Sequence, residues 1–116
     1  MNIRTYNFLV IIFCLVITFG SSIPGNSNPE YIFGIDKLLH VLEYFIFGYL
    51  LINGASDKTQ YPVYLSFVLG ICFALIDETY QLTVIGRSSS AFDVIADAIG
   101  LNLAIIFNHR FSKILG

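Results

Sequence analysis

Residues 36–54 read DKLLHVLEYFIFGYLLING, and this stretch decides the fold. From Leu38 onward it is almost wholly apolar. A helix of that length, rising 1.5 Å per residue, reaches across the roughly 30 Å of hydrocarbon in a bilayer. Yet its first turns hold Asp36, Lys37, His40 and Glu43. An ionised group at membrane depth is expensive and persists only where it faces protein or water. At about 100° per residue, these four and Tyr44 fall within about 120° on one helical face. The stretch therefore predicts a membrane-spanning helix, about residues 37–54, with one polar face at its start.

Three further apolar stretches accompany it, at about residues 6–23, 62–79 and 91–109. Pro24 and Pro29, within PGNSNPEY, stop the first from continuing, because proline lacks the amide donor a helix interior needs. No stretch alternates apolar and polar residues as a membrane barrel strand would. The expectation is one all-α domain over residues 1–116, an antiparallel bundle of four transmembrane helices. Composition agrees: 56% of residues are apolar and 12% charged, where soluble domains carry about a quarter charged, and the mean hydropathy is +0.76. With a net charge of −2 and no basic run, nucleic acid is excluded as a partner, since neutralising phosphates takes a dense Lys/Arg surface. Cys14 and Cys72 sit inside apolar runs, outside any CxxC, and are expected to be buried free thiols.

Arg4, a 12-residue apolar core at 8–19 and then Gly20, Ser21 and Ser22 also fit a cleavable leader. With no soluble domain after it to export, a retained helix is the simpler expectation. The loop charges set the orientation. Arg4, Lys58, Arg110 and Lys113 lie on one side and Lys37 and Arg87 on the other, so both termini are expected in the cytoplasm of a bacterial cell, with the chain in its inner membrane.

Alternating helix directions bring the start of the second span, the end of the third and the start of the fourth to one membrane face, the extracytoplasmic one. Asp36, Lys37, Glu43, Asp77, Glu78, Arg87, Asp93 and Asp97 gather there with His40. On the third helix Gly70, Ala74, Asp77, Glu78 and Gln81 share a stripe, and on the fourth Asp93, Asp97, Gly100 and Ala104 do. Small residues at four-residue spacing let helices approach closely beneath the charges. Local explanations exist for some of these groups. Asp36 could cap the second helix, Ser90 and Asp93 could form a capping box on the fourth, and Lys37 and Arg87 could snorkel to headgroups. None accounts for His40, Glu43 or Asp97, a turn or two inside.

The same residues resemble the VanZ-like family, named after a teicoplanin-resistance protein. Its pattern runs D-K-x-x-H-x-x-x-Y, E-x-x-Q, G-R-x-x-x-x-x-D and then Asn or Asp three residues before Gly. Here it is met by Asp36, Lys37, His40 and Tyr44, by Glu78 and Gln81, by Gly86, Arg87 and Asp93, and by Asp97 and Gly100. Asp97 stands where Asn is frequent, and Asp77 adds a carboxylate outside the pattern. The resemblance implies a small polytopic bacterial membrane protein of the cell envelope, linked to glycopeptide resistance, and no particular reaction.

Six carboxylates (Asp36, Glu43, Asp77, Glu78, Asp93, Asp97) against Lys37 and Arg87 cannot all stay ionised at a half-dry helix mouth without protons or a bound cation. Three functions fit. An enzyme or binder of a lipid-linked envelope intermediate would grip a phosphate-bearing headgroup with Arg87 and Lys37, helped by Asp36, Tyr44 and Gln81. Glu78 and His40 would be its catalytic proton carriers, and Asp93, Asp97 and Glu78 would hold magnesium, calcium or manganese. A small proton-coupled or ion-coupled transporter would use the carboxylates and His40 as a relay, and would have to be a homo-oligomer. A scaffold would use the ion pairs only to lock the bundle. No glycine-rich nucleotide fingerprint is present.

Overall fold

The structure, a computed structural model, describes residues 2–22, 29–55, 60–84 and 91–115, excepting the side chains of 3, 21–22, 29–36 and 111–115. These residues form four helices and no strand: α1 (Ile3–Ser22), α2 (Pro29–Ala55), α3 (Pro62–Gln81) and α4 (Ala91–Leu115). Three contain stretches long and apolar enough to cross a bilayer, Lys37–Ala55, Pro62–Gln81 and Ala91–Arg110. The apolar run of α1, Arg4–Gly20, is shorter. The chain is an all-helical membrane protein.

Two helices outrun their expected bounds. α2 begins at Pro29 rather than near residue 37, because proline, a breaker inside a helix, suits the first helical position, where its missing N–H costs nothing. Asp36 therefore lies two turns inside α2 and cannot cap it. α4 runs to Leu115 rather than ending near residue 109. At its own start, α1 is capped by Asn2, whose Oδ1 accepts from the Thr5 backbone N–H at 2.9 Å. The particle is 47 Å long and 23 by 21 Å across, so its ends project beyond the roughly 30 Å hydrocarbon layer.

Side-chain pairings fix the directions. Lys37 meets Asp93, His40 meets Asp97 and Asn53 meets Asn108, at sequence separations of 56, 57 and 55. A constant offset means that α2 and α4 run parallel. Between α3 and α4 the order reverses: Gly70 lies against Leu101 and Glu78 near Asp93. It also reverses between α1 and α2, where Tyr6 packs on Tyr49 and Phe13 on Phe47. Sequence neighbours thus alternate in direction, and the parallel pair α2 and α4 make the largest interface.

Glycine explains that intimacy. A Cβ at Gly100 would sit 2.4 Å from the Val41 carbonyl oxygen and 2.9 Å from the Phe45 nitrogen. The α2 backbone therefore runs directly over Gly100, and only a residue without a side chain fits there. Below this crossing, Ile17, Tyr44, Phe47, Leu51, Ala74 and Leu101 form the buried apolar cluster. Both cysteines are free, but Cys72 is exposed and Cys14 half-buried. The expectation of buried thiols fails for Cys72 because its side of α3 faces outward from the bundle, where lipid accepts apolar groups as readily as a core does.

Candidate functional site

One polar layer crosses the bundle between the core and the end where α2 and α4 begin. α2 contributes Lys37 and His40, α3 contributes Asp77, Glu78 and Gln81, and α4 contributes Asp93 and Asp97. The stripes predicted on three helices do face one another, and deeply: His40, Asp77 and Glu78 are each 5% exposed, Gln81 2%, Asp93 1% and Asp97 0%. Asp97 is six residues past Ala91, about 9 Å along the helix.

His40 is the hub. Its Nδ1 lies 2.8 Å from Asp97 Oδ1 and its Nε2 lies 4.0 Å from Asp93 Oδ1. The Asp97 contact holds the ring in one orientation, with Nε2 on the Asp93 side. One ligand atom from each of His40, Glu78 and Asp93 lies within 4.8 Å of the other two. Donor atoms around a single divalent ion stand roughly 3 to 4 Å apart at metal–ligand distances near 2.1 Å, so a small contraction would close this set on one cation. Of the three expected ligands, Glu78 and Asp93 fall in this group with His40, and Asp97 contacts the other side of the ring.

Lys37 Nζ donates to Asp93 Oδ1. Its side chain is 24% exposed, so the stem reaches the rim while the ammonium turns inward rather than snorkelling to headgroups. Asp93 answers that ammonium across the bundle, a role that capping its own helix does not explain. Gln81 Nε2 donates to Asp77 Oδ2 at 3.3 Å, steadying the carboxylate one turn before it. Tyr44 is completely buried against the apolar cluster. Neither its hydroxyl nor Asp97 Oδ2 has a hydrogen-bond partner among the described residues. Glu43 is only half-buried, at the edge of the layer. The side chain of Asp36, together with Arg87 and Ser90, lies outside the described residues.

Two polar features escaped the sequence reading. Ser66 is 2% exposed, and it extends the α3 stripe by one four-residue step below Gly70, so its spacing could have revealed it. At the other end of the bundle, Asn53 Nδ2 donates to Asn108 Oδ1 at 3.1 Å and to the Tyr49 carbonyl at 2.8 Å. Only knowledge that α2 and α4 run parallel and adjacent would have paired these two amides.

The chain matches the family described as VanZ/LLP1 over residues 3–112. That is nearly its whole length, and the chain belongs to this family. No curated protein matches it, and no solved structure does.

Proposed function

We propose that this VanZ/LLP1 membrane protein works at the extracytoplasmic face of the bacterial cytoplasmic membrane. There it binds the phosphate-bearing head of a lipid-linked envelope intermediate and contributes to glycopeptide tolerance. The observation that carries this reading is the His40 hub: a buried imidazole oriented by Asp97, its second nitrogen on the Asp93 side, with the Glu78 carboxylate and a lysine close by. Structural ion pairs need no such order, whereas an acid–base group needs an orienting partner on one nitrogen and the other turned toward its reactant.

In this reading Lys37 and Arg87 bind the phosphate, and His40 and Glu78 carry the proton. Asp36 is a further binding residue, and Gln81 and Tyr44 hold the layer's floor. Alternatively, a divalent cation held by Glu78, Asp93 and His40 would offset the carboxylate excess and take the place of the proton on the ring; with two carboxylates and one imidazole, this donor set suits manganese, magnesium or calcium. The positive charges of Arg4, Lys58, Arg110 and Lys113 support cytoplasmic termini and an outward-facing site.

A scaffold is the second reading, and the near-complete burial of Gln81, Asp93 and Asp97 favours it, because a closed layer resembles a lock. Thermal unfolding in detergent separates the two. Magnesium, manganese, calcium or a polyprenyl phosphate analogue should raise the melting temperature, since a ligand of the folded state stabilises it by mass action. The rise should vanish in Asp93→Asn. No rise with any of the four ligands would reject the binding site and leave the scaffold.

A further inference from the structure

The outward face of α4 carries a second pattern that the polar layer does not use. Phe92, Ile95, Ile99, Asn102, Ile106 and His109 follow one another at steps of three, four, three, four and three, and all are exposed. This is a heptad seam, the spacing at which one helix lays its side chains into another. It lies roughly opposite the Asp93, Asp97, Gly100 and Ala104 face that α4 turns toward the bundle.

Exposed apolar residues alone would say nothing, because lipid is as apolar as they are. Asn102 is different. It lies eleven residues past Ala91 and eight before Arg110, near the middle of the span Ala91–Arg110. Its side chain is exposed and makes no hydrogen bond among the described residues. A primary amide at that depth, with two donors and an acceptor and only acyl chains outside, is a costly arrangement unless another protein surface supplies the partner. Beside it, α3 and α4 diverge into an open groove of about 550 Å³, lined by Tyr61, Tyr64 and Phe67 on one wall and Asn102 and Ile105 on the other.

We infer that α4 is the interface of a parallel homodimer, sealed at mid-membrane by an Asn102–Asn102 amide pair. Two copies inserted with the same topology run α4 parallel, so the two amides meet at one depth across a two-fold axis. Each then supplies the donor the other lacks. A single polar residue in an apolar seam also fixes the register and the number of strands. The groove gives neighbouring side chains of the second copy room to seat. An acyl chain could fill the groove but would leave the amide unsatisfied.

Disulfide trapping in native membranes tests this. In a Cys14→Ser, Cys72→Ser background, Ile99→Cys and Ile106→Cys should each give a covalent dimer on mild oxidation, while Ile11→Cys on α1 and Leu75→Cys on α3 should not. In liposomes, Asn102→Leu should raise the dimer dissociation constant roughly 3- to 30-fold, the range of interhelical amide bonds in membranes, and Asn102→Gln should restore most of it. Three results would overturn the inference: monomers throughout the accessible protein-to-lipid ratios, trapping that favours Ile11 or Leu75, or a dimer indifferent to Asn102→Leu. The last would leave the groove to an acyl chain or to another protein.

Discussion

The two ends of the bundle solve the same problem with different chemistry. Both must hold α2 and α4 in register inside an apolar medium. At the end where these helices finish, neutral groups suffice: Asn53 bonds to Asn108, and Tyr6, Tyr49 and Phe107 pack edge to face at centroid distances of 6.2 and 5.9 Å. At the end where they begin, the chain buries Asp77, Glu78, Asp93 and Asp97 around a histidine and a lysine. Neutral amides already provide register at little electrostatic cost. Four carboxylates exceed what register requires, and that excess is the argument for a working site.

The largest effect expected is at the crossing that supports the charged end. Gly100→Val would drive methyl groups into the α2 backbone, and displaced backbone places it at or above the upper end of overpacking costs, about 3 kcal/mol. Folded protein should nearly disappear from membranes, as quantified by detergent extraction and melting. Gly20, where an added Cβ would meet nothing within 4 Å, is the matched control. Gly20→Ala should be neutral or stabilise by up to about 1 kcal/mol.

Next comes the hub. His40→Ala should cost roughly 2 to 3 kcal/mol, because it opens a cavity and leaves the Asp97 carboxylate buried without its partner. Any ligand-induced rise in melting temperature should be lost entirely. His40→Gln, which keeps a donor near Asp97, should recover much of the stability and none of the ligand response. Recovery of both would reduce His40 to a structural hydrogen-bonding group and erase the contrast between the ends.

At the neutral end the effects should be smaller and purely structural. Asn53→Ala and Asn108→Ala should each cost about 1 kcal/mol, with a coupling energy near 0.6 kcal/mol in a double-mutant cycle of melting curves. Ligand response per folded molecule should not change. The smallest effect should come from Cys72→Ala on the outward side of α3, within about 0.5 kcal/mol of zero.

Hydropathy made the helices legible, since length and apolarity are what a bilayer selects. The face shared by Lys37, His40, Asp77, Glu78, Gln81, Asp93 and Asp97 was legible too, because helical spacing and alternating directions leave it one place to go. Which groups touch was not. That Asp97 orients His40 while Glu78 and Asp93 complete the donor set depends on a registry of about 56 residues between α2 and α4, set by the Gly100 crossing rather than by any local motif. The start of α2 misled for a related reason. Pro29 reads as a breaker until it is seen at a first turn, and the apolar residues after it are interrupted by Gly34 and then by charge. Asn53 and Asn108 gave no signal, because each is a single polar residue near the end of a span and matters only as a pair.

The central claim is that the charged layer works rather than merely locks, and Glu78→Gln tests it most directly. The substitution keeps shape and hydrogen-bonding capacity while removing the carboxylate that the proposal needs for proton transfer or cation binding. In a strain lacking the chromosomal copy, teicoplanin survival should be measured together with the amount of folded protein in the same membranes. The account predicts folded protein within about twofold of the unmutated chain, since neutralising one of four buried carboxylates relieves like-charge repulsion, and survival reduced to that of the deletion strain. Survival that simply follows the amount of folded protein would contradict it and make the layer a lock.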